Sequence, residues 1–278
     1  MPTLLQALTF VPAKLLVHRS VAVILDQQGR VHVWGGASDG RLAAPGVTSL
    51  TNPTLVSGLE NIVDVAMGRS HILALDIAGR VWIWGSFLSR RIEVPEPVPL
   101  AEGIVRIAAG EETAFALRPN GTVLSWGSNE AHDVLGHGRA EDFSEPRLVP
   151  GIEGAESIYA ARDGMFFVRH DGSAASLGDA FFPDHTPGVT ERPELGDLHS
   201  LSLGVDFGVA VTEGGEVLAW GENGYGQLGR PVDTSGELEP PQHVAGLPPV
   251  QAVFADTFYT VAVDQSGRLH AWGANGRN

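Results

Sequence analysis

Residues 68–85 read GRSHILALDIAGRVWIWG and contain two short apolar segments separated by a glycine turn. The second segment, GRVWIWG at 79–85, is rich in β-forming residues and follows a glycine turn, and its copy GRVHVWG at 29–35 alternates apolar with polar residues, which is typical of a half-buried β-strand. HILALD at 71–76 lies just upstream and has the composition of a second strand. Together the two segments predict a β-hairpin.

The hairpin pattern recurs along the whole chain. A Trp-Gly pair ends the second strand in five copies, and Leu177-Gly178 takes its place in a degenerate copy, GSAASLG at 172–178. The copies are spaced 42 to 52 residues apart. Such a regular spacing is the sequence signature of a repeat architecture, in which each unit buries its apolar face against its neighbours. The pairs are Trp34-Gly35, Trp84-Gly85, Trp126-Gly127, Trp220-Gly221 and Trp272-Gly273.

Three to four short strands in each period, with no helical pattern, predict an all-β fold, a β-propeller of six antiparallel blades, with seven as the alternative. A proline opens each unit, which suits an edge strand because proline has no amide donor. The prolines are Pro2, Pro53, Pro97, Pro146, Pro193 and Pro241. The predicted units, within one domain spanning 1–278, are 2–50, 51–94, 95–143, 144–190, 191–238 and 239–278.

The repeat resembles that of the regulator of chromosome condensation family. The resemblance rests on G-x-x-H-x-L-A-L, here from Gly68 through His71, on G-x-V-x-x-W-G at 79–85, and on N-x-x-G-Q-L-G within WGENGYGQLG at 220–229. It covers essentially the whole chain and departs from the family pattern in the degenerate copy. The founding member has seven blades, whereas six units are counted here.

The composition excludes several classes of protein. With no cysteine among 278 residues, the chain has no disulfide, thiolate metal site or cysteine nucleophile. The sequence has no apolar run long enough for a membrane span, and its first thirty residues lack a basic segment ahead of an apolar core. We therefore expect a cytoplasmic protein.

The net charge of −15 is concentrated in the second half of the chain. Residues 1–139 carry 11 basic and 12 acidic side chains, whereas residues 140–278 carry 7 basic and 21 acidic ones. A negative surface repels DNA, RNA and anionic membranes and attracts a protein with a basic surface, although excess acid also serves solubility alone. We expect a basic protein partner and a chain that is monomeric by itself.

Catalytic and metal-binding patterns do not stand out. The sequence has no nucleophile elbow and no phosphate-binding glycine loop, so neither an enzymatic activity nor a cofactor is predicted. His132 and His137 flank Asp133, but this segment occupies the N-x-x-G-Q-L-G position and is interpreted as a structural turn. The repeated tryptophans are interpreted as packing residues and His71 as a hydrogen-bonded structural residue, because they occupy fixed positions of the repeat.

The candidate binding residues lie in turns that differ between copies. Equivalent turns of a propeller lie on one face, so variable turns before each hairpin predict a composite binding surface. Phe207, Phe258 and Tyr259 are interpreted as hot-spot aromatics with a charged rim, the alternative being that they fold inward. The predicted partner-binding residues are Arg69, Glu111, Glu112, Arg162, Asp163, Asp206, Phe207, Asp256, Phe258 and Tyr259.

A second variable set follows the Trp-Gly pairs and is expected to form the opposite face. It includes Phe87, Leu88, Arg90, Arg91, Phe181, Phe182 and Tyr225.

The function predicted from these features is non-catalytic protein binding, as an inhibitor, adaptor or immunity-type partner. The resemblance supports it, because bacterial relatives of the repeat include a secreted β-lactamase inhibitor that binds through one face. The resemblance also implies the alternative, guanine-nucleotide exchange on a small GTPase, which is the founding member's activity. Histone binding and a propeller lyase or hydrolase with a metal in the central channel are further alternatives.

Overall fold

The computed structural model describes residues 10–18, 20–129, 133–139, 141–162, 164–178, 181–183 and 188–274. The described residues form antiparallel β-sheets in which consecutive strands are hydrogen-bonded neighbours. They fall into two compact units. Unit 1 comprises residues 1–129 and 141–149, and unit 2 comprises residues 130–140 and 150–278.

Unit 1 contains three four-stranded sheets. Sheet 1 is β1 Pro12–His18, β2 Val21–Asp26, β3 Val31–Gly36 and β4 Ser49–Leu55; sheet 2 is β5 Ile62–Met67, β6 His71–Asp76, β7 Val81–Phe87 and β8 Arg90–Pro97; sheet 3 is β9 Arg106–Ala109, β10 Thr113–Leu117, β11 Val123–Gly127 and β12 Phe143–Leu148.

Unit 2 contains two four-stranded sheets and, within the described residues, one three-stranded sheet. A 3-10 helix at Pro193–Leu195 follows sheet 4. Sheet 4 is β13 Ala155–Ala161, β14 Gly164–Arg169, β15 Ala174–Gly178 and β16 Val189–Glu191; sheet 5 is β17 Leu198–Leu203, β18 Phe207–Thr212, β19 Val217–Gly221 and β20 Glu239–His243; sheet 6 is β21 Val250–Ala255, β22 Tyr259–Asp264 and β23 Leu269–Gly273.

Six antiparallel sheets, each a simple meander, are the blades of a six-bladed all-β propeller, so the predicted fold class is confirmed. Four of the repeated prolines lie in the fourth strand of a sheet, at its edge, where no ladder amide is missed. Pro193 begins the 3-10 helix, and Pro2 lies outside the described residues. The sequence repeat therefore begins in the last strand of one sheet. The boundaries of the six repeats and of the single domain, given above from the sequence, stay a prediction. The four edge prolines are Pro53, Pro97, Pro146 and Pro241.

The repeated tryptophans join consecutive sheets. Trp84, Trp126 and Trp220 are buried, as expected for packing residues. The indole Nε1 of Trp84 donates a hydrogen bond to the carbonyl oxygen of Arg41, which lies in the β3–β4 loop of the preceding sheet, at 3.0 Å. Trp272 makes the same contact with Gln227 O at 2.9 Å, from the G-Q-L segment of sheet 5. In these two cases the loop after one Trp-Gly pair supplies an acceptor for the tryptophan of the next sheet.

The glycine of each Trp-Gly pair opposes the first residue of the second strand. Gly221 is paired with Phe207 and has φ +101°, a conformation that favours glycine. A Cβ atom at Gly221 would also press against the carbonyl oxygen of Asp206 and the Cα of Phe207. The equivalent glycines pair with Val21, His71, Thr113, Gly164 and Tyr259.

A second glycine makes room for the ring at that first position. In the G-x-x-H motif, a Cβ on Gly68 would overlap the imidazole of His71, and in sheet 5 a Cβ on Gly204 would overlap the ring of Phe207. Both rings are fully buried. The motif therefore serves packing, because the ring occupies the space that a side chain at the glycine position would take.

We predict that Gly204→Ala lowers the free energy of unfolding by roughly 1–3 kcal/mol, since the added methyl overpacks a filled core. Chemical denaturation measures the change. Gly214→Ala is the matched control, because its Cβ would meet only the hydroxyl of Thr212 at 3.6 Å. Equal loss of stability in both variants would contradict this packing role.

We also predict that His71 makes the stability pH-dependent. Burial, with Arg41 nearby, lowers the pKa of His71 from 6.5 to about 4. Below pH 6.5 the unfolded chain binds a proton that the folded chain cannot, so the free energy of unfolding falls by roughly 3 kcal/mol between pH 6.5 and 4. His71→Leu should flatten this slope in denaturation curves, whereas His199→Leu, at an exposed site, should keep it. An unchanged slope in His71→Leu would show that His71 is not the titrating group.

Candidate interaction surface

Strand direction places two sets of loops at the same end of every sheet. In an antiparallel meander, the turn between strands 1 and 2 and the loop between strands 3 and 4 lie together, which we call the loop end. Backbone bonds join them: Ser86 N donates to Ser70 O at 2.6 Å, and Glu222 N donates to Asp206 O at 2.8 Å. The expectation that the set following Trp-Gly forms an opposite face is therefore wrong.

The other end of the sheets carries the β-hairpins, and repeated hydrogen bonds determine their shape. In D-x-x-G-R turns, one carboxylate oxygen of Asp26 accepts the amides of Gln28 and Arg30, and the other accepts Arg30 Nε at 2.8 Å. Burial alone would raise the pKa of Asp26, but these bonds and one to His32 lower it to about 2. Asp76 and Asp264 make equivalent turns. Residues committed to this network are poor candidates for partner recognition.

At the loop end of unit 1, the predicted residues pair across neighbouring sheets. The guanidinium of Arg69 lies 3.4 Å from the carboxylate of Glu111, and the amide of Arg69 donates to Glu111 O at 3.1 Å. Glu112 accepts the amide of Ser128 through its carbonyl oxygen. Both members of the ion pair are partly exposed, so the pair contributes little to stability and stays accessible.

At the loop end of unit 2, charged and aromatic residues come together. Arg162 forms an ion pair with Asp206 at 2.6 Å. The Tyr259 hydroxyl donates to the carboxylate of Asp256 at 2.9 Å, and that hydrogen bond raises the pKa of Tyr259 above 10.0. Asp163 lies outside the described residues.

Tyr225 contacts Phe258 at the loop end, although the sequence predicted that Tyr225 lies on the opposite face. Its ring lies 4.5 Å from that of Phe258, measured between centroids, and 53% of Tyr225 is exposed. Tyr225 comes from the loop after Trp220-Gly221, and Phe258 comes from the turn before β22. The alternation of strand direction in a meander was the signal that could have brought them together.

The structure corrects the prediction made for Phe207. The prediction assigned it to the binding surface, but it is fully buried in the core between sheets 5 and 6. The second strand begins at Phe207, so this residue occupies the position of His71 and belongs to the buried ring series. The inward-folding alternative holds for this aromatic.

Phe181 and Phe182 are also buried, although they were expected on a surface. The ring of Phe182 lies 5.7 Å from that of Trp220 and is covered by the guanidinium of Arg192, 3.6 Å from its centroid. Phe166 completes the cluster against Trp220 at 5.4 Å. The degenerate copy, which lacks the repeated tryptophan, thus fills its core with phenylalanine rings.

The described residues hold neither a metal-binding cluster nor a membrane-spanning helix. They contain no group of three or more histidine, cysteine, aspartate or glutamate side chains placed to hold a metal ion. His132 lies outside the described residues, while Asp133 binds the amide of His137 at 3.0 Å and that of Gly138 at 2.7 Å through its carboxylate. No helix in the described ranges is long and apolar enough to span a membrane.

Family models match the repeats identified above. The regulator of chromosome condensation (RCC1) repeat matches residues 28–75 and 214–263, and a second model of the same repeat matches 104–132 and 198–227. This chain belongs to the regulator of chromosome condensation repeat family. The matched ranges include the Gly68–His71 motif and WGENGYGQLG.

Curated relatives are longer than this RCC1-repeat chain. It is 27% identical over 286 residues to the mouse E3 ubiquitin-protein ligase HERC2, covering 91% of this chain and 6% of HERC2. It is 28% identical over 275 residues to the ultraviolet-B receptor UVR8 of Arabidopsis thaliana, covering 87% of this chain and 60% of UVR8. The chain thus spans less than two thirds of either relative.

Solved structures share the fold of this RCC1-repeat chain. Prp20p from Saccharomyces cerevisiae superimposes with a TM-score of 0.79 at 22% identity, over 94% of this chain and 71% of Prp20p. Human WBSCR16 superimposes with a TM-score of 0.78 at 18% identity, over 91% of this chain and 72% of that one.

We predict that Asp256→Asn lowers the pKa of Tyr259, because the phenol then loses its hydrogen bond to a negative carboxylate. Absorbance at 295 nm against pH measures the ionisation of the three tyrosines, and Tyr259→Phe identifies the component that belongs to Tyr259. Asp233→Asn is the control and should leave the titration unchanged. A Tyr259 component that does not move in Asp256→Asn would contradict this contact.

Proposed function

We propose that this RCC1-repeat propeller is a non-catalytic binding protein, an inhibitor or adaptor, that docks a partner with a basic surface on the loop end of unit 2. The observation that carries the proposal is the contact between Tyr225 and Phe258 beside the carboxylate of Asp256. These side chains come from different loops of neighbouring sheets and leave ring surface exposed to solvent.

Aromatic rings next to carboxylates suit the side chains of arginine and lysine. A guanidinium or ammonium can lie over the face of a tyrosine or phenylalanine ring while a carboxylate accepts its hydrogen bonds. Asp256 uses one oxygen for the Tyr259 hydroxyl and the other for the hydroxyl and amide of Thr257, and a carboxylate oxygen can accept more than one bond. A carboxylate fixed in this way is positioned before a partner arrives.

The remaining predicted residues of unit 2 suit a rim around this centre. Arg162 and Asp206 already form an ion pair, which offers polar contacts at its exposed edge. Rim charges act on the association rate and on the choice of partner more than on affinity. The net charge of −14 in residues 140–278 favours a basic partner in the same way.

Relatives support a protein as the partner. The solved structures include yeast RCC1 (Prp20) bound to Kap60, and Prp20p has been described with its binding to Gsp1p and histones. We carry over from these proteins only the expectation that this propeller also binds protein. The ligase activity named for HERC2 is not carried over, since the aligned region is 6% of that protein.

The test is affinity capture from a lysate of the source organism at low and moderate salt, read by mass spectrometry. We expect one stoichiometric partner with a basic surface, whose recovery falls as salt screens the charges. If that partner is a small GTPase, stimulated release of labelled GDP would support the exchange-factor alternative and contradict a pure inhibitor or adaptor. Absence of any partner at both salt concentrations would contradict the proposal.

We predict that the double variant Tyr225→Ala, Phe258→Ala weakens binding of the captured partner about tenfold or more. Aromatic side chains that a partner buries at the centre of an interface usually carry much of the binding energy. Isothermal titration calorimetry measures the change. The control combines Ile77→Ala with Leu100→Ala, two exposed aliphatic residues in connections at the hairpin end. Equal affinity of both double variants would show that the partner docks elsewhere.

A further inference from the structure

Leu15 is exposed at a strand position that is buried in every other sheet. Each first strand has an aliphatic residue opposite the fourth residue of the second strand, and Leu15 holds that position opposite Ile24. Leu15 is 55% exposed, whereas its five counterparts are at most 8% exposed. The counterparts are Val65, Ile107, Ile158, Leu201 and Val253.

Ile24 and His32 on this side of sheet 1 are buried, with Phe10 stacked on His32, but two further residues are more exposed than their equivalents in other sheets. Val17 and Trp34 both lie opposite Ala22, so they share one face of the sheet with Leu15. Val17 is exposed and Trp34 is partly exposed, although the equivalent residues Trp84 and Trp220 are fully buried. We call Leu15, Val17 and Trp34 the first face.

Sheet 6 has the complementary departure. Leu269, opposite Val263, is 72% exposed, whereas the first residue of the third strand is at most 4% exposed in the other sheets. Phe254 lies opposite Val261 on the same side and is also exposed. We call Phe254, Val261 and Leu269 the last face. The buried counterparts of Leu269 are Val31, Val81, Val123, Ala174 and Val217.

Inside each unit, the side of one sheet that corresponds to the last face packs against the side of the next sheet that corresponds to the first face. In unit 1, Val23 and Val33 of sheet 1 share a core cluster with Val65 of sheet 2. In unit 2, Val209 of sheet 5 shares a cluster with Val253 of sheet 6. The two exposed faces are therefore halves of a contact that this sequence forms repeatedly in its own interior.

We infer that the last face of one molecule binds the first face of a second copy of this chain. Such a contact is heterologous, so copies join head to tail into a closed ring or an open chain. The charge distribution favours this arrangement, because it brings the strongly acidic second half of one copy onto the nearly neutral first half of the next. The contact replaces the monomer expected from the sequence and is independent of binding at the loop end.

The test begins with the full chain in sedimentation velocity over a range of concentrations. The mean mass should rise with concentration, and Leu15→Glu or Leu269→Glu should weaken the association at least about tenfold, because each places a charge in an apolar contact. Ile77→Glu is the control, since Ile77 is at least as exposed as Leu15 and Leu269 but lies in a hairpin turn of sheet 2, outside both faces. It should associate as the unmodified chain does.

Mixing the two variants distinguishes a head-to-tail contact from others. Each variant alone lacks one half of the contact, but Leu15→Glu keeps the last face and Leu269→Glu keeps the first face. An equimolar mixture should therefore form a one-to-one dimer that neither variant forms alone. Folding of both variants is checked by circular dichroism. A chain that stays monomeric at every concentration overturns the inference, and so does a Leu15→Glu variant that still dimerises by itself.

Discussion

Every sheet described in this chain has apolar residues on both of its faces, so a sheet gains its full stability only when another surface covers each face. In sheet 2, Val65 and Trp84 are buried on one face and Leu73 and Val81 on the other. A half-covered sheet would leave one such row in water, at a cost of about 1.5–3 kcal/mol for each large aliphatic side chain. This constraint explains why the repeat is defined by packing residues. Trp-Gly and G-x-x-H both solve the problem of bringing two sheets into contact without leaving a gap.

The two ends of each sheet have different freedom to vary. At the hairpin end, Asp26, Asp76 and Asp264 accept backbone amides within their own turns, and each forms an ion pair with the arginine four residues later, so the chemistry of those turns is fixed. At the loop end, the backbone bonds that join neighbouring loops use amides and carbonyls, which any residue supplies. Side chains there can change without loss of the fold. Tyr225 and Phe258 are an example of a contact that the repeat permits but does not require.

Much of the fold could be predicted from the sequence, because the period of the Trp-Gly pairs reports the number of sheets directly. The surface was harder to predict. Phe207 was misassigned because it was interpreted as part of the turn before the hairpin; the spacing Gly204-x-x-Phe207, identical to Gly68-x-x-His71, contained the correct register. The burial of Phe182 depends on Trp220, 38 positions away, and on Arg192, so no local pattern could have indicated it.

The same rule of paired faces separates two kinds of exposed apolar residue in this molecule. Tyr225 has no buried equivalent fixed by the repeat, and an exposed aromatic of this kind is available for a partner of unrelated structure. Leu15 and Leu269 hold positions that are buried in every other sheet, so their exposure specifies the shape of what should cover them. That shape is a strand face with the spacing of this repeat. A surface that is complementary to a repeat unit selects another repeat unit, whereas the loop end selects by charge and aromatic contact. The two surfaces can therefore be occupied at the same time, and a variant in one should leave the other intact.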